Sequence, residues 1–401
     1  MYPDLGFFIK NTFGLEIPGL WLIKMFGLML AFAFLAAGYV MALEMRRKEA
    51  DGFFVSSPVS EKVGTAATPF DLLWTFLYGF VAGGKFLWII LHFQEFGFDP
   101  AKGLFSPQKI NVLAGLVVGT IFSYSKYHEK QKELLPQSRI DTRNVLPSER
   151  VGDLIIIAAI SGLIGAKLFA VMEYTDQLIA DPMGTLFSGS GLAFFGGLIG
   201  GTIACIAYGK YLKMPLLHLA DCASPAIIVG YGVGRIGCQL SGDGDWGIAN
   251  LHALPDWWFL PKWMWAFDYP HNVAGAGLSH TAVPDEAGNV ILANCNEAID
   301  GLCYHLAQPA YPTPFYETML CLLIFLILWF LRKRIKVAGV LFFIYWILNG
   351  IERFLIENIR HNDQYDVLGF HLSQAQLIAI GMMIGGGAGA AYLWFFTKKT
   401  T

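Results

Sequence analysis

Charge is scarce in this chain. Only 15% of its 401 residues are Asp, Glu, Lys or Arg, whereas a soluble globular chain carries about 25%. Hydrophobic residues make up 55% and the mean hydropathy is +0.50, which leaves too little charge to coat a water-facing surface. A set of soluble domains, the ordinary expectation at this length, is thereby excluded, and a polytopic membrane protein is the first inference. Positive charge is not in excess either. The net charge is −3, so the basic surface that a nucleic-acid partner requires is missing and no such partner is expected. Six cysteines, with no CxxC pair and no His/Cys cluster at zinc spacing, suggest neither a disulfide scaffold nor a metal centre. No metal or cofactor is expected. The first residues, MYPDLGFFIKNTFG, lack the basic n-region and cleavage site of a signal peptide, so the first helix is expected to stay in the mature protein. Glycine is plentiful, at 44 residues, which suits close helix packing or backbone approach to a ligand.

A bilayer-crossing helix needs about 20 mostly apolar residues. Nine runs qualify as candidate spans: 18–43, 70–95, 110–125, 150–173, 190–209, 216–240, 315–331, 336–358 and 373–396. Basic residues cluster in alternate loops: Arg46, Arg47, Lys48 and Lys62; then Lys126 to Arg150; then Lys210 and Lys213; then Arg332 to Lys336; then Lys398 and Lys399. The intervening loops are nearly bare. By the positive-inside rule this predicts nine spans with the N-terminus outside and the C-terminus inside. The organisation expected is six membrane helices over 1–240, an extracytoplasmic domain over 241–314 and three membrane helices over 315–401. The fold class is all-α polytopic.

Segment 241–314 is rich in aromatic residues, among them Trp246, Trp257, Trp258, Trp263, Trp265 and Tyr269. They read either as a headgroup-level belt or as a lid that guides substrate. Cys295 and Cys303 fall in this segment, where oxidation permits a disulfide. The other four cysteines read as small core residues. A short echo links 79–93 and 161–174 in the placement of Gly, Lys and aromatics, consistent with a duplicated helix or with similar packing faces.

Lys or Arg at a bilayer centre costs about 2.5–3.5 kcal/mol on insertion scales, which makes each one a functional candidate. Lys24, Lys85, Lys167, Arg235 and Arg353 fall within spans. Snorkelling to the outer surface is the alternative reading for Lys24 and Lys85. It accounts less well for the arginines, which have acidic and polar company. Around Arg235 the chain reads GYGVGRIGCQLSGDGDWG (230–247), and so many glycines argue against a continuous lipid-facing helix. Irregular backbone there would have to line a cavity, and backbone N–H groups beside an arginine suit an anion. In NGIERFLIENIRHNDQYD (349–366), helical spacing puts Arg353, Glu357 and Arg360 on one face. Glu357 could then hold both guanidiniums, as a structural ladder or as a phosphate fork. A third group, YPTPFYET (311–318), places Tyr316 and Glu317 at the mouth of the seventh span. In the predicted topology all three groups converge on the outer leaflet.

At these residues the sequence resembles the prolipoprotein diacylglyceryl transferase family. The run Gly234-Arg235-Ile236-Gly237 through Asp243 to Trp246-Gly247 is similar to the family signature, approximately G-R-x-G-N-F-x-N-x-E-x-W-G. PTPFYE (312–317), the helix from Gly350 to Arg360, LAFFGGLIGG (192–201), KMFGLM (24–29) and Asp221 each resemble a further family block. The family usually has seven spans, so two additional helices, near 70–125, are a departure. Phe195 stands where the family commonly has His, and Phe26 where it commonly has Tyr. The family asparagines become Cys238 and Ser241, and one extra residue before Trp-Gly leaves Asp243 and Asp245 as rivals for its glutamate.

The resemblance implies a bacterial inner-membrane transferase with its active site facing the outer leaflet. It would move the diacylglyceryl group of phosphatidylglycerol to the lipobox cysteine of a prolipoprotein signal peptide, forming a thioether and releasing glycerol phosphate. The residues expected to carry catalysis are Arg235, Arg353, Asp243 and Glu357. Those expected to bind substrate are Arg235, Lys167, Tyr316, Glu317, Arg360 and Asp221. Asp243 is the favoured proton acceptor, with Glu357, His271 and His305 as alternatives. Rival readings are a secondary transporter for an anionic solute and an inactive lipid-binding homologue.

Overall fold

A computed structural model describes residues 1–92, 110–173, 175–180, 182, 185, 193–276, 278–279, 282–284, 290–292, 304–360, 362, 364–367 and 369–397. Cys295 and Cys303, with the disulfide suggested for them, lie outside the described residues. The protein is mostly helical and polytopic. Each of the nine apolar runs carries a helix of at least 18 residues, and among the described residues six helical stretches are long and apolar enough to cross a membrane. Strand is confined, among the described residues, to short antiparallel pairs.

The chain divides into two compact units. The first comprises Met1–Phe53 and Pro215–Thr401. It opens with a short helix α1 (Leu5–Phe13), whose N-cap Asp4 accepts a hydrogen bond from the Phe7 N–H, and continues into the long helix α2 (Met25–Ala50). The second unit, Phe54–Met214, contains β1 (Ser57–Val63), α3 (Pro69–Leu91), α4 (Val112–Lys132), β2 (Arg139–Val145), α5 (Val151–Glu173) and α6 (Phe194–Tyr211). A Thr68–Asp71 capping box starts α3. Strands β1 and β2 pair antiparallel, Ser57 opposite Val145 and Val63 opposite Arg139. The remaining helices of the first unit are α7 (Leu216–Ser241), α8 (Thr313–Leu331), α9 (Val340–Glu357) and α10 (Gln374–Thr397), with a hairpin of β3 (Gln364–Val367) and β4 (Phe370–Ser373) between the last two.

Helix α7 corrects one expectation. It runs unbroken through Gly230, Gly232, Gly234 and Gly237. The glycines are compatible with helix because α7 is the most buried of the six apolar helices and packs against α2 and α8. A Cβ on Gly232 would sit 2.9 Å from the Cys321 Cβ, so glycine here permits helix approach. Around this contact Ile228, Cys321, Ile324, Leu328, Leu341 and Tyr345 form a buried core.

The N-terminal half of α7 has its own polar network. Asp221 pairs with buried Lys48 at 3.0 Å and accepts the backbone N–H groups of Gly339 (2.9 Å) and Phe342 (3.2 Å). It thereby caps the start of α9, where free N–H groups favour a carboxylate. Lys48 also contacts His218 Nδ1 at 2.9 Å. Close by in sequence, fully buried Glu44 accepts from both Arg47 and Arg332.

Candidate active site

The site is built where α7 ends. Gly242 terminates the helix at φ +65° and Gly244 follows at φ +102°, a left-handed region that other residues rarely enter. The two glycines turn the chain so that Asp245 returns beside Arg235, six residues before the end of α7. The turn is pinned through its backbone. Thr313 Oγ1 donates to the Asp245 carbonyl at 2.7 Å, the Gly247 N–H donates to the Tyr311 carbonyl at 2.9 Å, and the Ile248 N–H donates to the Ile359 carbonyl at 2.8 Å.

Glu317, early in α8, is wholly buried and is the hub. Its Oε2 lies 2.9 Å from Arg235 Nε. Its Oε1 lies 3.5 Å from Arg353 Nη1 and 3.6 Å from Arg360 Nη1. The Tyr231 hydroxyl donates to the same oxygen at 3.2 Å, and the Tyr231 ring lies 5.2 Å from the Arg235 guanidinium. Asp245 bridges two of these arginines from the other side: one oxygen meets Arg235 Nη1, and the other accepts from Arg360 Nη2 at 2.8 Å.

Glu357 proves not to be the holder of both guanidiniums. It pairs with Arg353 at 3.2 Å and accepts from Ser373 Oγ (2.7 Å) and Asn362 (2.5 Å). The reason is local: α9 stops at Glu357, Asn358 to Arg360 form a tight turn, and Arg360 leaves the face that helical spacing would have given it. Freed from the helix, Arg360 reaches Asp245 and Glu317.

The carboxyls of the two aspartates in this turn shift in opposite directions. Burial raises the Asp245 carboxyl, but Arg235 and Arg360 outweigh it and hold Asp245 below the ordinary carboxylate value. Burial raises the Asp243 carboxyl above its ordinary value, and the neighbouring Asp245 charge adds to this, against opposing effects of a Cys238 hydrogen bond and Arg235. Cys238, Asp243 and Asp245 come within 4.8 Å of one another. Two guanidiniums already on Asp245 oppose a cation there.

Of the residues expected from the sequence, Arg235, Arg353, Glu317, Glu357, Arg360 and Asp243 therefore gather in one place. Tyr316 stands at its edge, its hydroxyl donating to the Met264 carbonyl at 2.8 Å, where it anchors segment 241–314 to α8. Asp221 does not join them. It lies 14 residues before Arg235, roughly 21 Å along the helix, and its carboxylate is committed to Lys48 and the α9 cap. Lys167 lies on α5 in the second unit. Tyr231 went unnoticed in the sequence, although its position one turn before Arg235 could have signalled it. Glu352, beside Arg353 in the same motif, was also missed. It is 2% exposed, and neither carboxylate oxygen has a hydrogen-bond partner among the described residues.

The family model for prolipoprotein diacylglyceryl transferase matches residues 109–392, which include every member of this cluster. The chain belongs to the prolipoprotein diacylglyceryl transferase family. Among its relatives are proteins named phosphatidylglycerol–prolipoprotein diacylglyceryl transferase. That of Leptospira interrogans is 32% identical, with 28% of this chain and 43% of that protein aligned. That of Dehalococcoides mccartyi is 30% identical, covering 57% of this chain and 71% of its own. That of Shouchella clausii is 26% identical, covering 65% and 79%. The chain thus spans under half the length of the Leptospira relative and most of the other two. Nothing in these comparisons favours the anion-transporter or inactive-homologue readings. The family match begins at 109, so α1, α2 and α3 lie outside it.

Proposed function

We propose that this protein transfers the diacylglyceryl group of phosphatidylglycerol to the lipobox cysteine thiol of a prolipoprotein, with release of glycerol phosphate. The observation that carries this reading is the convergence of Arg235, Arg353 and Arg360 on buried Glu317. A fixed set of guanidiniums suits a phosphodiester, and the family supplies the reaction. The thiol sulfur attacks the glyceryl carbon that carries the phosphate oxygen. A C–S bond forms, the C–O bond breaks, and the electron pair leaves on glycerol phosphate. Arg235 and Arg353 stabilise the charge that grows on the departing phosphate. The thiol proton must also leave, because a free cysteine has pKa of about 8.5. Asp243 is the proposed acceptor. Its raised pKa and freedom from an arginine pair favour it over Asp245.

The finer topology belongs to the same proposal. Nine spans, N-terminus outside and C-terminus inside, put the end of α7, the start of α8 and the end of α9 at the outer leaflet of a bacterial inner membrane. There phosphatidylglycerol and the secreted signal peptide would meet. Helix α9 carries Glu352, Arg353 and Glu357 in its last two turns, a charge density that protein surroundings support and lipid does not.

The test is a purified protein given phosphatidylglycerol labelled in its headgroup glycerol and a lipobox peptide. Release of labelled glycerol phosphate that depends on the peptide cysteine, and stops when that cysteine is serine, is the expected result. No release with either peptide would contradict the reading.

A further inference from the structure

The Asp245 carboxylate bridges two arginines of the site. It offers one oxygen to Arg235 and the other to Arg360, the two-oxygen, two-guanidinium geometry by which arginines take phosphodiesters. Each of the three guanidiniums already has a carboxylate partner without substrate. Arg235, Arg353 and Arg360 pair with Glu317, Glu357 and Asp245, and no other Lys or Arg joins these ion pairs among the described residues. An incoming phosphodiester adds a negative charge to arginines that already have carboxylate partners, and the low dielectric makes an unbalanced charge expensive. One carboxylate must give way.

The three acids are not equally placed to do so. Side-chain exposure is 0% for Glu317 and 1% for Glu357, but 35% for Asp245. Glu317 is held by three arginines and Tyr231, and Glu357 by Arg353, Ser373 and Asn362. Among the described residues, the Asp245 carboxylate meets only the two arginines and, at 3.8 Å, the Cys238 sulfur. Its backbone carbonyl is bound by Thr313 and its N–H by Asp243, so the side chain can rotate away while the turn stays fixed.

We propose that Asp245 is a placeholder for the lipid phosphate: it keeps Arg235 and Arg360 aimed and paired in the empty site, and the headgroup phosphate of phosphatidylglycerol displaces it on binding. This rests on the proposed phosphatidylglycerol transfer and assigns Asp245 a positioning role within it. The placeholder gives the Nη groups that Arg235 and Arg360 turn away from Glu317 a partner of their own, and the site exchanges one anion for another. Competition weakens substrate binding, so removal of the competing charge should strengthen it.

The experiment uses the full chain in phosphatidylcholine nanodiscs and dioctanoyl phosphatidylglycerol as the probe. Asp245→Asn, which keeps the size and the backbone hydrogen bonds, should bind the probe about tenfold more tightly than the wild type, the equivalent of one charge-assisted hydrogen bond. Its KM for phosphatidylglycerol should fall in step. A second measurement needs no variant: carbodiimide labelling of Asp245 in the wild type, followed by peptide mass spectrometry, should increase when the probe saturates the site. Unchanged or weaker binding by Asp245→Asn, or labelling that does not increase, overturns the placeholder. Arg235→Ala separates this from the underlying reading. If Arg235→Ala binds the probe as the wild type does, the phosphate clamp itself fails. If Arg235→Ala loses binding and Asp245→Asn gains none, only the placeholder fails.

Discussion

Arg235 on α7 and Glu317 on α8 are joined by an ion pair of 2.9 Å, with the carboxylate wholly buried. The pair sets the direction of Arg235. Its Nε is committed inward to Glu317, and Nη1 is left to reach outward to Asp245. An arginine can do both because its donors are spread over a rigid plane.

Lysine cannot. Arg235→Lys retains the charge and loses one of the two directions, so transfer should drop about 10²–10³-fold, the scale of removing a donor aimed at developing charge. Steady-state kinetics on the purified variant checks this, and near-normal turnover would mean that charge alone suffices.

Glu317→Gln should damage stability before chemistry. It leaves three guanidiniums short of their common partner, and an uncompensated buried charge costs about 3–5 kcal/mol. The expected outcome is a markedly lower thermal transition in detergent. Glu352→Leu should behave oppositely. Its carboxyl is buried with no hydrogen bond among the described residues to lose, so an apolar replacement should be neutral or stabilising.

Asp243 gives a pH signature. Burial raises its pKa above the ordinary carboxylate value, and a base acts in its deprotonated form. Transfer rate should therefore climb with pH through an ionisation above about 4 and be lost below it. Asp243→Asn should slow transfer about 10²–10⁴-fold and abolish that acidic limb. A variant that retains the limb would move the role to another group.

Asp221 should separate folding from function. Asp221→Asn removes the buried partner of Lys48 and weakens the cap of α9. Thermal stability should fall by about 3 kcal/mol or more, while the folded fraction keeps its kcat. A collapse of kcat at unchanged stability would return Asp221 to the substrate-binding set.

Much of this was legible in the sequence because it is local. A long apolar run makes a helix wherever it lies, and all nine runs carry one. The polar motifs around Arg235, Glu317 and Arg353 stood out because charge within apolar runs is costly. What could not be read depends on neighbours. The glycines at 230–237 suggested broken backbone, yet they lie within a continuous helix, with α8 close against Gly232 through Cys321 and α2 close against Gly230 and Gly237 through Ala37 and Met29. Extending helical spacing past Glu357 credited that residue with Arg360, whereas the helix ends there. The choice between Asp243 and Asp245 as arginine partner turns on the backbone angles of Gly242 and Gly244, which no residue pattern specifies. Asp221 matched a motif, but its partner Lys48 is far away in sequence.

The most direct measurement is single-turnover thioether formation by Arg235→Ala beside the wild type, with phosphatidylglycerol nanodiscs and a lipobox peptide. Circular dichroism should first confirm that the variant keeps its helices. The wild type should attach the diacylglyceryl group to the peptide cysteine, and the folded variant should attach none above background. Wild-type rates from folded Arg235→Ala would contradict the account at its centre.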